Sequence, residues 1–231
     1  MHLNAALQNA ELWFLLSLAS GHLTKKQASE IADIHNDLRS QVQPSAAFMQ
    51  KVVWDEDVRL VAESYAAKCI WDHNPKFLNL IMGQNLFVTT GRLNITKAML
   101  KWFEENRDYD FDSNSCNGFC HHYTQMVWAT SIKIGCAAHL CETIKGLDFK
   151  NATLLVCNYY PSGTYEGQRP YEQGKSCSKC PEELPLCAKN ICGNLASSTL
   201  NDFKSTYISK LAYLFSHLVF ASHNLTQTFK L

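Results

Sequence analysis

Hydrophobic positions in the first half of the chain recur at the spacing of amphipathic helices. Residues 24–27 (TKKQ) have the form of a helix capping box, and Pro44 closes the segment that follows. A second helix is expected after Asp55 and a third over residues 94–107, each with its apolar side chains in the core. The inward positions of the three helices are Ala28, Ile31, Ile34, Leu38 and Val42, then Val58, Val61, Ala62, Tyr65 and Cys69, and then Ile95, Ala98, Met99, Trp102 and Phe103.

The second half of the chain changes to the pattern of β-strands. Residues 132–141 and 153–160 are rich in apolar and β-branched side chains, and the polar loop over 145–151 would join them as a hairpin. Helices followed by strands predict an α+β fold in which helices pack on a sheet. After Pro161 the composition shifts to Gly, Pro, Ser and Cys, so a domain boundary is expected near Tyr165.

A short apolar run, residues 12–19 (LWFLLSLA), leads into the small residues Ala19, Ser20 and Gly21. This arrangement is typical of a signal peptide cleaved after Gly21, so residues 1–21 are predicted to be one. The run is too short to cross a bilayer. Residues 1–11 contain no Lys or Arg, which a signal peptide normally has, and the alternative is a buried helix of the mature domain.

The end of the chain, residues 194–231, is expected to be a flexible tail. Its apolar stretch, residues 211–221, contains His217 and is too short for a bilayer, so no transmembrane segment is predicted. Lys plus Arg and Asp plus Glu both number 21, which gives a net charge of zero. Because no basic stripe is visible, a nucleic-acid partner is not expected. We also expect a monomer.

Ten cysteines, an even number, fall into two groups along the chain. Such a set suggests metal binding in a cytosolic protein and disulfide bonds in an oxidising compartment. Three N-glycosylation sequons, at Asn94, Asn151 and Asn224, agree with the leader-like run, so we predict a secreted, extracellular glycoprotein. The cysteines are Cys69, Cys116, Cys120, Cys136, Cys141 and Cys157 in the body and Cys177, Cys180, Cys187 and Cys192 near the end.

Four short segments in a fixed order carry a recognisable pattern. They are residues 35–39 (HNDLR), 83–86 (GQNL), 122–128 (HYTQMVW) and 155–161 (LVCNYYP). Together they resemble the CAP superfamily of cysteine-rich secretory, antigen 5 and pathogenesis-related proteins. The cysteine spacing C-x2-C-x6-C-x4-C that follows is similar to the hinge of animal members, in the branch that contains peptidase inhibitor 16 and the glioma pathogenesis-related proteins.

The resemblance implies a three-layer α-β-α sandwich over residues 24–165, followed by a short disulfide-rich hinge over residues 166–193. It also implies three disulfide bonds in the body, which six cysteines alone could not decide among 15 pairings. The pairing of the hinge cysteines stays open, and its CxxC could also be a redox motif or half of a zinc knuckle. The implied bonds are Cys69–Cys141, Cys116–Cys120 and Cys136–Cys157.

The family also has a polar cleft, and the positions of this chain that match it are His73, Gln84, Glu105 and His122. Two neutral imidazoles and a carboxylate suit Zn²⁺ and could equally serve as acid and base near neutral pH. Isolated histidines are more often structural than ligands, which is the alternative for His73 and His122. For His35 and Arg39 we expect a structural role, as a polar pair on a buried helix with hydrogen bonds to the backbone.

Two positions depart from the family pattern. Gln84 stands where the family usually has Glu, so the cleft loses a negative charge and only weak Zn²⁺ binding, with no required cofactor, is expected. His121 stands where the family often has Gly, and it could narrow the cleft, supply another ligand or point into solvent.

These features favour a non-enzymatic binding protein that acts on an extracellular partner. The family implies three classes of partner, namely a lipid or sterol, a protease, or a cell-surface protein. The alternative is a metal-dependent hydrolase or protease that uses His73, Glu105 and His122. Gln84 and the lack of a nucleophile beside a base argue against it.

Overall fold

The computed structural model describes residues 23–75 and 82–194. The predicted signal peptide over residues 1–21, the sequon at Asn224 and the tail beyond Asn194 lie outside the described residues. Within the described ranges, no helix is both long and apolar enough to cross a membrane.

The helices confirm the amphipathic pattern. Thr24 forms the predicted capping box, accepting from the backbone N–H of Gln27 at 3.2 Å while its own N–H donates to Oε1 of Gln27 at 2.9 Å. The third helix becomes a 3₁₀ helix over its last turn. The helices are α1 Lys25–Arg39, α2 Glu56–Ala66, α3 Ile95–Phe103 with the 3₁₀ helix Glu104–Arg107, and α4 His121–Met126.

A four-stranded sheet with the order β1-β5-β6-β2 forms the middle layer. Strand β6 is antiparallel to both of its neighbours, β5 and β2, whereas β1 runs parallel to β5. Two short hairpins, β3-β4 and β7-β8, complete the set. The strands are β1 Val53–Trp54, β2 Gly83–Thr89, β3 Tyr109–Asp110, β4 Ser115–Cys116, β5 Lys133–Thr143, β6 Lys150–Tyr160, β7 Leu186–Ala188 and β8 Ile191–Gly193.

The central hairpin is longer than the apolar pattern predicts. Strands β5 and β6 each have 11 residues, and their pairing continues to Thr143 opposite Lys150. Near Thr143 and Lys150 the side chains are polar and mostly exposed, so the hydrophobic pattern does not indicate a strand there. The backbone hydrogen bonds between the two strands nevertheless continue. The loop predicted over 145–151 is correspondingly shorter.

Helices cover both faces of the sheet and give the α-β-α sandwich. On one face α2 buries Ala62 and Tyr65 against Leu154 and Val156 of β6. Helix α2 can lie this close to the sheet because Gly135 of β5 has no side chain. A Cβ at this position would be 2.1 Å from the backbone N of Arg59 in α2. On the other face α1, α3 and α4 enclose the larger core. The predicted fold class is therefore confirmed.

All ten cysteines form disulfide bonds. The three bonds in the body have the pairing that the family resemblance implies, and the two hinge bonds settle the pairing left open by the sequence. The pairs are Cys69–Cys141, Cys116–Cys120, Cys136–Cys157, Cys177–Cys187 and Cys180–Cys192.

The cysteine-rich segment, residues 166–193, packs against the body. Tyr171 and Ile191 are 4% and 7% exposed and belong to the larger core. The backbone N–H of Cys192 donates to the carbonyl of Met49 at 2.8 Å. The boundary expected near residue 165 therefore marks a change of composition, while the hydrophobic core continues across it.

Candidate functional site

Glu105 positions His122 at the start of α4. Oε1 of Glu105 lies 2.6 Å from Nδ1 of His122, and Oε2 accepts from the backbone N–H groups of His122 and Tyr123 at 3.0 and 3.1 Å. The two side chains are 15% and 17% exposed. A carboxylate that accepts from Nδ1 selects the tautomer and leaves Nε2 as the atom able to bind a ligand.

Aromatic rings fix the plane of the His122 imidazole. The indole of Trp102 stacks on it with centroids 5.8 Å apart and planes 26° apart, and Phe119 lies at 5.0 Å. Trp102 is itself held, because its Nε1 donates to the carbonyl of Leu86 at 3.0 Å. The orientation of His122 is therefore determined by the core of the protein.

Gln84 connects His73 to the sheet. Its Oε1 accepts from the backbone N–H of Asn74 at 3.0 Å, and its Nε2 donates to Oδ1 of Asn158 at 3.0 Å. Desolvation lowers the pKa of His73, and repulsion from His122 adds to this, while a hydrogen bond to Gln84 acts in the opposite direction. The environment of His73 therefore favours its neutral form, which is the form that binds metals.

Hydrogen bonds and electrostatic interactions link the four predicted residues, and we call this group the histidine cleft (His73, Gln84, Glu105 and His122). His122 and the exposed His121 are both close enough to His73 to disfavour its protonation. Glu105 faces the backbone of α4, so its carboxylate orients His122 and does not act as a free ligand. Of the four residues, the two histidines have the side chains that could hold a metal ion, and water would have to complete its shell.

In the described ranges, one group of three side chains brings potential metal-ligand atoms within 4.8 Å of one another. It consists of Cys177, Cys180 and Cys192. These sulfurs belong to the disulfides of the hinge, so they cannot act as thiolate ligands. The zinc knuckle considered for the CxxC segment is therefore wrong, and so is the dithiol redox motif.

Asn85 is a residue of the site that sequence reasoning missed. Its Nδ2 donates to the carbonyl of His122 at 3.1 Å and to the hydroxyl of Tyr159 at 3.2 Å. Asn85 is fully buried, and it joins the cleft to the core side of the sheet. Its place directly after Gln84 in the GQNL segment was the available signal.

His35 and Arg39 have the structural role predicted for them. His35 is fully buried between the carbonyl of Ile31, 2.8 Å from Nδ1, and the hydroxyl of Tyr159, 2.9 Å from Nε2. The guanidinium of Arg39 donates to carbonyl oxygens that line the start of the sheet. Those acceptors belong to Gln50, Met126, Trp128, Ala129 and Ser131, at 2.8 to 3.3 Å.

Comparisons with known proteins agree with this geometry. Residues 32–159 match the family described as CAP, the cysteine-rich secretory protein family. Peptidase inhibitor 15 of Mus musculus is 43% identical over 185 residues, which cover 74% of this chain and 72% of that protein. Peptidase inhibitor 16 of Mus musculus is 39% identical, and the match covers 74% of this chain and 34% of that longer protein.

Solved structures of relatives share the fold. The crystal structure of NaASP2 with Zn²⁺ has a TM-score of 0.60 at 27% identity, covering 74% of this chain and 97% of that one. Schistosoma mansoni venom allergen-like protein 4 has a TM-score of 0.54 at 34% identity, covering 68% and 100%. The chain therefore belongs to the CAP family. The two curated relatives, peptidase inhibitor 15 and peptidase inhibitor 16, are named as inhibitors and not as enzymes, which is consistent with a non-enzymatic protein.

Proposed function

We propose that this CAP-family protein is secreted and binds an extracellular peptidase without catalysing a reaction. Among the three classes of partner that the family implies, a peptidase agrees with the names of its relatives. The proposal that the protein is not an enzyme rests on the hydrogen bonds of Glu105. Both of its oxygens accept hydrogen bonds from α4, so the carboxylate serves to hold His122 in place.

The same arrangement argues against a metal-dependent hydrolase. A hydrolase of this kind needs a general base that can take a proton from a metal-bound water. Glu105 is occupied by Nδ1 of His122, and Gln84 is an amide that cannot act as a base. Nothing in the contacts of the cleft favours turnover.

Weak binding of a divalent cation is a second part of the proposal. Nε2 of His122 and the neutral ring of His73 would hold Zn²⁺, which would fix the two side chains of the cleft relative to each other. A structural relative was crystallised with Zn²⁺. With two imidazoles and no carboxylate ligand, we expect an affinity well below that of a structural zinc site.

Export is supported by two features of the described residues. The cysteines all form disulfides, which persist in oxidising compartments. Asn94 and Asn151 are exposed on the surface, so both sequons are accessible to glycosylation. We therefore propose cleavage after Gly21 and carbohydrate at these two positions.

The test is an inhibition and turnover assay on protein secreted from a mammalian cell line. The wild type is measured against a panel of extracellular serine peptidases, and separately on generic peptide and ester substrates with Zn²⁺ or with EDTA. We expect inhibition of at least one peptidase and no turnover. Turnover that disappears in His122→Ala, but not in the control His139→Ala, would establish the hydrolase instead.

A further inference from the structure

Phe119 is one of several large apolar side chains that the described residues expose, and its neighbours set it apart from the others. It is 51% exposed and lies at the end of residues 112–119 (DSNSCNGF), which otherwise carry small polar or acidic side chains. Exposed aromatic residues surrounded by small polar ones are typical anchors of protein–protein interfaces. This residue adjoins the histidine cleft because its ring contacts His122.

The backbone that carries Phe119 is held at both ends. The Cys116–Cys120 disulfide closes a loop whose ends are only four positions apart. Within it, the N–H of Asn117 donates to the carbonyl of Asp108 at 2.8 Å. Gly118 lies so close to the Asp108 carboxylate that a Cβ would be 2.9 Å from Oδ2. The loop is therefore preorganised before any partner binds.

Neighbouring rings hold the side chain of Phe119 as well. His121 meets it edge-on with centroids 5.4 Å apart, and His122 lies tilted against it at 5.0 Å. His122 stacks on Trp102, so the row of rings extends from the core to the surface. A partner pocket that encloses the ring would replace these ring contacts with its own, while the disulfide-closed backbone that presents Phe119 is already in place.

We propose that Phe119 is the anchor that fills the aromatic-accepting primary pocket of a chymotrypsin-like serine peptidase. This inference rests on the proposed function, because it names the surface and the class of peptidase. Such pockets are apolar slots that accept one large ring, whereas trypsin-like pockets carry a carboxylate that selects a cation. Cys120 is 3% exposed and disulfide-bonded, so the peptide bond after Phe119 stays held in the domain. Blocking without cleavage is therefore expected.

The experiment compares inhibition constants for chymotrypsin and trypsin. Wild type, Phe119→Ala and Phe119→Arg are measured, with Leu140→Ala as the control because Leu140 is 63% exposed on β5. We expect Phe119→Ala to weaken inhibition of chymotrypsin about 30-fold, the loss typical of an interface hot spot. Phe119→Arg is expected to lose inhibition of chymotrypsin and to gain inhibition of trypsin. The control is expected to inhibit both peptidases as the wild type does. Mass spectrometry is expected to find the chain uncut.

The possible outcomes separate the two proposals. A wild-type protein that inhibits a peptidase of another class, but not chymotrypsin, would overturn this inference and leave the proposed function standing. Unchanged inhibition of chymotrypsin by Phe119→Ala would place the contact elsewhere on the surface. If Phe119→Ala loses inhibition of chymotrypsin but Phe119→Arg does not gain inhibition of trypsin, the result would contradict insertion into the primary pocket. Failure of the wild type against the whole panel would count against the proposed function itself.

Discussion

Two regions of the molecule use histidine in opposite ways. In the buried clamp (His35 and Arg39 on α1), both ring nitrogens of His35 have partners and the residue is fully buried. In the histidine cleft, Nδ1 of His122 has a carboxylate partner, which leaves Nε2 as the nitrogen able to bind a ligand. The same residue type therefore holds the fold together in one place and has a nitrogen available for a ligand in the other.

The difference shows that the partners of a histidine decide its role. A ring with two protein partners in the core has no position for a ligand, and its protonation costs stability. A ring with one partner is oriented but still available, which is the usual arrangement around metal-binding histidines. Loss of a clamp residue should therefore affect folding, and loss of a cleft residue should affect binding.

The largest expected effect comes from Arg39→Met, which keeps much of the side-chain volume and removes every donor. Several buried carbonyl oxygens would lose their hydrogen bonds, so we expect about 3–5 kcal/mol of lost stability and reduced secretion. Urea unfolding measures this. Lys101→Met is the control, because Lys101 is exposed and forms one surface ion pair with Glu104, and it should change stability by no more than about 0.5 kcal/mol. Equal effects of the two substitutions would contradict the role of the clamp.

The second prediction concerns pH and His35. Burial lowers the pKa of His35 from 6.5 to about 4, so the unfolded chain binds a proton that the folded protein does not. The titration of His35 therefore does not change the free energy of unfolding well above pH 6.5, and it lowers this free energy as the pH decreases from 6.5 toward 4. We expect about 2 kcal/mol of loss from this residue by pH 5.

Unfolding experiments at pH 7 and pH 5 test this sign. His35→Gln should be less stable than the wild type at pH 7 but should lose less stability between the two pH values. His139→Gln, which changes a histidine outside the clamp, should keep the wild-type pH dependence. A pH dependence that persists unchanged in His35→Gln would assign it to other groups.

Much of the fold could be predicted because it is encoded locally. The capping box at Thr24 and the apolar spacing of three helices depend on neighbouring residues, so both predictions were confirmed. The full length of β5 and β6 was not predictable, because their ends pair through the backbone with polar side chains. The hinge pairing also required the fold, since four cysteines allow three connectivities.

The candidate site was less accessible to sequence reasoning. The resemblance proposed the four residues of the histidine cleft, but not that Glu105 would direct both oxygens to α4. Nothing local distinguishes His35 from His122, because the role of each ring depends on a partner elsewhere in the chain, namely Tyr159 for His35 and Glu105 for His122. Phe119 likewise reads as an ordinary aromatic residue until its exposure is known.

The third prediction is that Glu105→Gln weakens Zn²⁺ binding while the protein stays folded. The amide would turn an N–H group toward donors that now face a carboxylate, so His122 would lose its fixed orientation. Changes of this kind at a partner of a metal-binding histidine typically cost about 10–100-fold in affinity. A competition assay with a chelating dye measures it, and Glu104→Gln is the control because Glu104 pairs with Lys101 outside the cleft. Equal affinity in both variants would remove Glu105 from the site.

The smallest effect is expected from Gln84→Glu, which returns the missing negative charge to the cleft. The introduced carboxylate can still accept from the N–H of Asn74. Nδ2 of Asn158, which has no hydrogen-bond partner among the described residues, can reach it after an amide flip. Folding should therefore tolerate the change. We expect Zn²⁺ affinity to rise about tenfold, since a negative charge close to a divalent cation is favourable in a partly buried cleft.

Gln41→Glu is the matched control for this last change, because it adds the same charge at an exposed position on the surface. Its zinc affinity should equal that of the wild type. If both variants bind Zn²⁺ more tightly by the same factor, the gain comes from net charge and not from the cleft. If neither does, while His122→Ala still abolishes binding, then Gln84 lies too far from the ion to influence it, and the charge at this position does not set the affinity of the cleft.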